Sequence, residues 1–303
     1  MSTAGSTRWA SFALAHPVVL ARLHRLGHGL RRAEAGGLWW SSLTPEGPGA
    51  VLLRAEAGGA PGVRAEAWGE GGAWLVERAP ALLGAADDPA GFEPRHPLLA
   101  RLARVHSERV GRTGRMVEAL VAAAVGQRVH TADASDSLRL LARRFGPPAP
   151  GPLGADHGVH LLPGPERLAE IGYAELHPCG IERRRAEVLV RIGRHADRLE
   201  AALDEPREQA YRRLLSVVGV GPWTAGFAMA EAWGDADAVP LGDLHLPRHV
   251  GWALAGDARC DDARMLELLA PYGGHRWRVL RLLLLGGPAP PRYAPRRGRA
   301  RRL

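Results

Sequence analysis

A single carboxylate, Asp243, lies in the apolar stretch Leu-Gly-Asp-Leu-His-Leu. A carboxylate in a cleft can stabilise a developing cation or orient an attacking water. The residues that follow have helical periodicity, so the same aspartate could instead cap the start of a helix, where it would accept hydrogen bonds from backbone amides. Taken alone, Asp243 predicts either a catalytic group or a helix cap, and the neighbouring elements must decide between them.

A tight turn, Gly219-Val220-Gly221, lies about twenty residues before Asp243. It follows the apolar segment from Leu214 to Val218, and Pro222 after it suits the first position of a new helix. A helix–turn–helix unit of this kind presents backbone N–H groups that attract an anion. A dinucleotide fingerprint does not fit, because the third glycine is missing and no strand precedes the turn. A phosphate-bearing polymer is the more natural ligand, and a plain helical hairpin is the alternative.

Charge and composition narrow the class of protein. The 303 residues carry a net charge of +8 with a pI of about 10.7, which favours a polyanionic partner. The sequence contains no lysine, which excludes chemistry that needs a side-chain amine, such as a lysine Schiff base. The distant cysteines, Cys179 and Cys260, exclude a zinc ribbon or four-cysteine cluster and indicate a reducing cytoplasm. No apolar run approaches the roughly twenty residues of a membrane span.

Up to residue 94 the chain has the texture of a small antiparallel sheet, with short segments between glycine- and proline-rich turns. Trp39, Trp40, Trp68 and Trp74 are expected to pack in its core or on its faces. Val18–Leu30 is predicted to be either strand or helix. The predicted strands are Leu38–Leu43, Val51–Glu56, Val63–Trp68 and Ala73–Glu77.

Residues 95–287 have apolar positions at helical spacing, so the whole chain is predicted to be α+β, with a sheet domain in front of an all-α domain. Residues 147–164 are predicted to be a connector. The arginine- and proline-rich tail, residues 288–303, is predicted to be disordered because it cannot bury apolar surface. The predicted helices are Arg115–Val125, Asp133–Phe145, Arg167–Ile171, Ile181–Leu203, Glu208–Val218, Leu244–Leu254, Asp262–Leu269 and His275–Leu285.

The order Gly-Val-Gly-Pro-Trp-Thr-Ala, then Val-Pro-Leu-Gly-Asp, resembles the signature of the helix-hairpin-helix DNA glycosylases. Within that superfamily the chain is most similar to the bacterial alkylbase (3-methyladenine type II) glycosylases. Three further stretches agree in order: Glu118–Gln127, Cys179–Glu187 and Pro271–Trp277. The resemblance covers residues 95–287 and, more weakly, the sheet domain of residues 1–94.

The resemblance implies roles for the residues of a base pocket. Asp243 matches the catalytic aspartate of the family. Trp223 stands where lyase members carry a nucleophilic lysine and alkylbase enzymes carry an aromatic residue, and Phe227 matches an aromatic pocket position. Leu284 and Leu285 differ from the aromatic pocket walls expected there.

The resemblance also implies a surface that holds DNA. The hairpin amides would bind a phosphate, and the turn at Gln127 would insert into the duplex. Arg128 stands where the family carries an apolar or amide wedge, and a guanidinium can also stack and fill a gap. The residues expected to contact DNA are Gln127, Arg128, Gly219, Val220, Gly221, Thr224 and His245.

Together these features predict a monofunctional DNA glycosylase that flips and hydrolyses alkylated purines in base excision repair. Its partner would be damaged double-stranded DNA, and it would act as a monomer in the bacterial cytoplasm, at the nucleoid. No redox cofactor or catalytic metal is expected, while the resemblance implies a monovalent cation at the hairpin. Two alternatives remain: a glycosylase for a deaminated, oxidised or bulky base, and a non-catalytic DNA-structure-binding protein in which Asp243 is only a cap.

Overall fold

The N-terminal part of the chain forms an antiparallel sheet. The computed structural model describes residues 8–25, 31–34, 36–56 and 62–291. Within those ranges the sheet has five strands in the order β1-β5-β4-β3-β2, so sequence neighbours β2 to β5 also pair as spatial neighbours. The strands are β1 (Arg8–Ala13), β2 (Arg31–Glu34), β3 (Gly37–Thr44), β4 (Gly47–Ala55) and β5 (Gly62–Trp68).

Both faces of the sheet are covered. Successive side chains of a strand point to opposite faces, so Trp40 packs on one face and Trp39 on the other. Trp40 lies in the cluster beneath helix α1 (Gly72–Leu82) and beside the ring of Trp74. Trp39 packs against Leu153 in a cluster formed with the predicted connector. The helical part of the chain therefore returns to cover the second face of the sheet.

Apart from the short helix that carries Leu153, the remaining helices form two layers, each around its own apolar cluster. One cluster is built around α3, α8 and α11, and the other around α2, α12, α13 and α14. The helices are α2 (Pro97–His106), α3 (Met116–Gly126), α4 (Thr131–Phe145), α5 (Pro152–Ala155), α6 (Pro165–Glu170), α7 (Tyr173–Leu176), α8 (Arg183–Arg194), α9 (Ala196–Glu200), α10 (Arg207–Leu215), α11 (Pro222–Ala228), α12 (Leu246–Ala255), α13 (Asp262–Leu269) and α14 (Arg276–Gly286). Among the described residues, none of these helices combines the length and apolar character that crossing a bilayer requires.

Helix α11 lies between the two layers. Ala225, Ala228 and Met229 belong to the α3 cluster, whereas Phe227 and Ala230 pack with the α14 cluster. Beyond Ala228 the chain continues as a π-helical turn, Met229–Trp233. Such turns are uncommon and occur frequently at functional sites. The first residues of α11 are consequently held at the junction of the two layers.

The predicted α+β fold, with a sheet first and helices after it, is confirmed. One predicted strand is wrong: Ala73–Glu77 lies in α1, whose buried residues Trp74, Leu75 and Ala79 recur at helical spacing. The long helix predicted over Ile181–Leu203 is interrupted, because His195 leaves helical geometry at φ −113° between α8 and α9.

Two other sequence predictions extend beyond the described residues. In Val18–Leu30, the segment Leu20–Arg25 is a 3-10 helix, and residues 26–30 lie outside the described part. Residues 292–303 of the predicted tail also lie outside it. The domain boundary near residue 94 stays a prediction.

A buried ion pair joins α14 to the loop after α1. Arg278 is 0% exposed, and its guanidinium bonds both carboxylate oxygens of Asp87, at 2.5 and 3.2 Å. It also donates to the backbone oxygens of Glu108 and Asp88. A buried charge requires this degree of compensation, because removing one partner leaves the other uncompensated in a low dielectric.

We therefore expect Asp87→Ala to lower the free energy of unfolding by about 3–5 kcal/mol, measured by urea denaturation. The control is Asp136→Ala, which breaks the exposed pair with Arg139 and should change stability by less than about 1 kcal/mol. Equal small losses in both variants would contradict the view that Arg278 is fully desolvated.

Candidate active site

The glycine turn joins α10 to α11 and needs glycine at its first position. Gly219 has φ +96°, in the left-handed region that other residues avoid. A Cβ atom there would lie 2.3 Å from Cγ2 of Val188 in α8. Gly221 has an extended backbone, and the space beside it is open, so its lack of a side chain leaves room for a ligand. Val218, directly before the turn, is 71% exposed.

The side chain of Gln127 holds this turn from the end of α3. Its Nε2 donates to the backbone oxygen of Gly219 at 3.0 Å and to Oγ1 of Thr224 at 2.8 Å. Thr224 as a whole residue is 2% exposed, so its predicted contact with DNA stays a prediction. Gln127 thus faces the turn, and its predicted insertion into a duplex stays a prediction.

Three aromatic rings form a continuous array beside the turn. The ring of Phe227 meets that of Trp223 at 4.9 Å and that of Trp277 at 5.9 Å, both edge to face. Trp277, from α14, is buried, whereas Trp223 and Phe227 are half-buried. Since such pairs are stabilised beyond simple area burial, the array fixes Trp223 and Phe227 against the core.

The carboxylate of Asp243 accepts three N–H hydrogen bonds. Its Oδ2 accepts the indole N–H of Trp223 at 2.7 Å. Its Oδ1 accepts the backbone N–H groups of His245 and Leu246, each at 2.7 Å, at the start of α12. Gly242 precedes it with φ +87°, which turns the chain toward α11. Asp243 therefore acts as a helix cap and also lies against the aromatic array.

Two loops form the exposed rim around Asp243. The rings of His130 and His245 stack at 6.3 Å, which brings the loop after α3 beside the Asp243 loop. Arg128 is exposed with φ +57°, a conformation that costs a residue other than glycine about 1–2 kcal/mol. Leu244 is 73% exposed. Backbone strain of this kind occurs preferentially at functional sites.

The structure brings most of the sequence-predicted residues together. Trp223 contacts both Asp243 and Phe227, and Gln127 reaches the glycine turn. Leu285 is buried, and the half-buried Leu284 packs against the α14 cluster.

Two features were missed from the sequence. The Trp223–Asp243 bond joins residues twenty positions apart, and the sequence offered only the general expectation that an indole N–H finds a partner. His130 had a weak signal in the sequence, because it lies three residues after Gln127 in the same turn.

Known proteins share parts of this sequence and most of this fold. No family model matches the chain. A curated relative from Mycobacterium tuberculosis, described as a probable bifunctional transcriptional activator/DNA repair enzyme AlkA, is 34% identical over 152 residues. That match covers 49% of this chain and 29% of the relative, so the chain spans less than a third of the relative's length.

Two solved structures match over most of the chain. The 3-methyladenine DNA glycosylase from Archaeoglobus fulgidus has a TM-score of 0.74 at 22% identity, over 91% of this chain and 97% of that one. The Clostridium acetobutylicum 8-oxoguanine glycosylase/lyase, in complex with double-stranded DNA, has a TM-score of 0.65 at 15% identity, covering 87% and 90%. The chain has the fold of the helix-hairpin-helix DNA glycosylases.

The resemblance predicted from the sequence, to this superfamily and to its 3-methyladenine type, is thereby confirmed. Within the glycosylase fold, the turn at Gly219 is the hairpin and Asp243 lies after it, in the order that the sequence predicted. Among the described residues, no three His, Cys, Asp or Glu side chains are grouped closely enough to hold a metal ion.

The Trp223–Asp243 bond can be measured with a double-mutant cycle. Trp223→Phe removes the indole N–H and keeps an aromatic ring, and Asp243→Asn removes the charge of the acceptor. Because a hydrogen bond to a charged group contributes about 1.5–3 kcal/mol, we expect a coupling energy of about that size in urea unfolding.

The control cycle pairs Asp243→Asn with Trp252→Phe, a half-buried tryptophan elsewhere on α12. Its coupling energy should be within about 0.5 kcal/mol of zero. Additive effects of Trp223→Phe and Asp243→Asn would mean that the bond does not form in solution.

Proposed function

We propose that the protein is a monofunctional DNA glycosylase that flips alkylated purines out of duplex DNA and excises them by hydrolysis. The glycosylase fold and the names of similar proteins, which include a 3-methyladenine DNA glycosylase, support DNA and an alkylated purine as the substrate class. The observation that carries the proposal is the Asp243 carboxylate bonded to the indole of Trp223 at 2.7 Å.

The hydrogen bonds of Asp243 leave one acceptor site for chemistry. A carboxylate has about four lone-pair sites. Two N–H groups use Oδ1 and the Trp223 indole uses one site of Oδ2. The remaining site is a lone pair of Oδ2, the oxygen that lies next to the aromatic array. A positive charge that develops on the sugar would be stabilised from that oxygen.

The aromatic array supports a cationic base as substrate. An alkylated purine carries positive charge, and aromatic faces attract cations. In the proposed reaction, the bond between the base and C1′ of the sugar breaks, and its electron pair leaves with the base. Water then adds to C1′ and loses a proton. Trp223 and Phe227 would contact the flipped base, while Asp243 would stabilise the cationic sugar.

The proposed chemistry needs neither a redox cofactor nor a catalytic metal. The monovalent cation that the family resemblance implies would be held by backbone oxygens of the hairpin. The oxygen of Gly219 has two lone pairs, of which Gln127 uses one. Phosphate binding by the hairpin amides, and DNA contacts from Arg128 and His245, belong to the same proposal.

One observation favours a second candidate, a DNA-structure-binding protein without catalysis. Asp243 caps α12 through two backbone N–H groups, so its position has a structural explanation by itself. A variant that keeps the cap but removes the charge separates the two candidates.

Asp243→Asn is that variant, because asparagine caps helices about as well as aspartate. We expect base release to fall by about 100-fold or more, since the charge that stabilises the transition state is lost. The measurement is single-turnover release from duplexes that each carry one lesion: 3-methyladenine or 7-methylguanine, a deaminated base, an oxidised base or a bulky adduct.

Binding of the Asp243→Asn variant to DNA with an abasic-site analogue should stay within a few-fold of the unmodified protein. Full activity of the variant would support the capping role alone. Release of only a deaminated, oxidised or bulky base would keep the glycosylase but refute the alkylated-purine assignment.

The chain's composition predicts the absence of lyase chemistry. A lyase step needs an amine that forms an imine with the abasic sugar, and the sequence has no lysine. We expect borohydride to trap no side-chain adduct on abasic DNA. Placing a lysine at the hairpin, as Trp223→Lys, is the positive control for trapping. A robust adduct of the unmodified protein at an internal residue would refute the monofunctional mechanism.

A further inference from the structure

A small cavity of about 20 Å³ lies where the sheet meets the helical layers. It is separate from the Asp243 site and is bounded by β2, the π-helical turn and α14. A volume of this size holds one water molecule or one small ion. Its polar lining comes from Arg31, Glu231 and Arg281, and its apolar lining includes Leu23, Val110 and Trp277.

Arg31 contributes one buried guanidinium, with 9% of the residue exposed. Its Nη2 pairs with the carboxylate of Glu231, and its Nη1 donates to the backbone oxygen of Leu23 at 3.4 Å. Its Nε is buried and, in the described part of the chain, has no hydrogen-bond partner. A buried donor of this kind is costly unless something accepts its hydrogen bond.

Arg281 contributes a second guanidinium, with 5% of the residue exposed. Its Nη1 donates to the neutral backbone oxygen of Ser107 at 2.9 Å, while the carboxylates of Asp87 and Glu108 act on it from beyond salt-bridge distance. Burial lowers the pKa of Arg281 and of Arg31 to about 10, and the Arg281 charge also lowers that of Arg31. Both guanidiniums therefore keep their charge at neutral pH.

The charges around the cavity do not balance. Two guanidiniums face one carboxylate, that of Glu231. The nearby Glu118 compensates less, because burial raises the pKa of its carboxyl group. Arg278, which also acts on Arg281, is already paired with Asp87. Glu108 also acts on Arg281 but does not line the cavity, so the lining itself carries one more positive than negative charge.

We propose that this cavity binds a small monovalent inorganic anion of the size of chloride, held between Arg31 and Arg281. A monatomic anion both accepts the Arg31 Nε hydrogen bond and neutralises the surplus charge, whereas water supplies only the hydrogen bond. A polyatomic organic anion exceeds the cavity volume. The site has no role in the proposed base excision.

The location of the anion links the sheet to the base pocket. Arg31 belongs to β2, and Glu231 lies in the turn that continues α11. Trp277, which lines the cavity, carries the ring that contacts Phe227. A bound anion consequently stabilises the sheet against the helices that carry the aromatic array.

The test compares chloride with gluconate, which is too large for the cavity, at constant ionic strength. A ligand that binds only the folded protein raises stability with its concentration. We expect the Tm to rise by about 2 °C for each tenfold increase in chloride above its Kd, with gluconate as the replaced anion. The Arg281→Met variant should lose this dependence, and the exposed-surface control Arg101→Met should keep it.

A second variant should strengthen chloride binding, where Arg281→Met should abolish it. Glu231→Gln removes the competing negative charge and should lower the Kd for chloride several-fold, which a general loss of packing would not do. Bromide, soaked into crystals as an anomalous scatterer, should give a peak between Arg31 and Arg281. Equal Tm values in chloride and gluconate, or the absence of a bromide peak there, would overturn the proposal and assign the cavity to water.

Discussion

The hydrogen bond between the Trp223 indole and the Asp243 carboxylate is the interaction on which the candidate site depends. It joins α11, which begins after the glycine turn, to the loop that begins α12. Helix α11 packs with both apolar clusters and α12 with the α14 cluster, so their relative position is set by packing over the whole helical region. Through this hydrogen bond, the packing of the helices fixes the orientation of the Asp243 carboxylate. A loosely packed pocket would not keep that orientation, because a carboxylate displaced by about 1 Å no longer faces the same reacting atom.

Packing beneath the site explains why this orientation is stable. Helix α3 is apolar on nearly all sides and is buried in the α3 cluster, so it is a fixed support for α11. Gln127, at its end, then holds the glycine turn by two hydrogen bonds. The strained Arg128 follows directly, and its conformation is maintained because its predecessor is fixed. The same buried helix therefore positions the hairpin and the exposed rim.

The sequence predicted those parts of the structure that depend on residues close together in the chain. Glycines with a required geometry, a proline at a helix start and alternating strand residues predicted the hairpin and most of the sheet. Ala73–Glu77 was misjudged because a five-residue apolar segment fits either period, and only the contact of Trp74 with the sheet decides for a helix. The interruption at His195 is likewise set by tertiary packing. The Trp223–Asp243 bond and the balance of charge around Arg31 and Arg281 depend on residues far apart in sequence, so no local pattern reveals them.

The exclusive use of arginine has a chemical consequence for a protein that would create abasic sites. An abasic sugar exposes an aldehyde, which a lysine amine attacks when it is not protonated. A guanidinium remains protonated under the same conditions and offers no comparable nucleophile. In the proposed function, the net charge of +8 would attract the DNA backbone without adding groups that capture the product. Trp223, at the start of α11, likewise lacks a nucleophilic amine. It donates a hydrogen bond to Asp243 and would present no nucleophile to the sugar. In the proposed reaction, base release would therefore depend on a carboxylate and water alone.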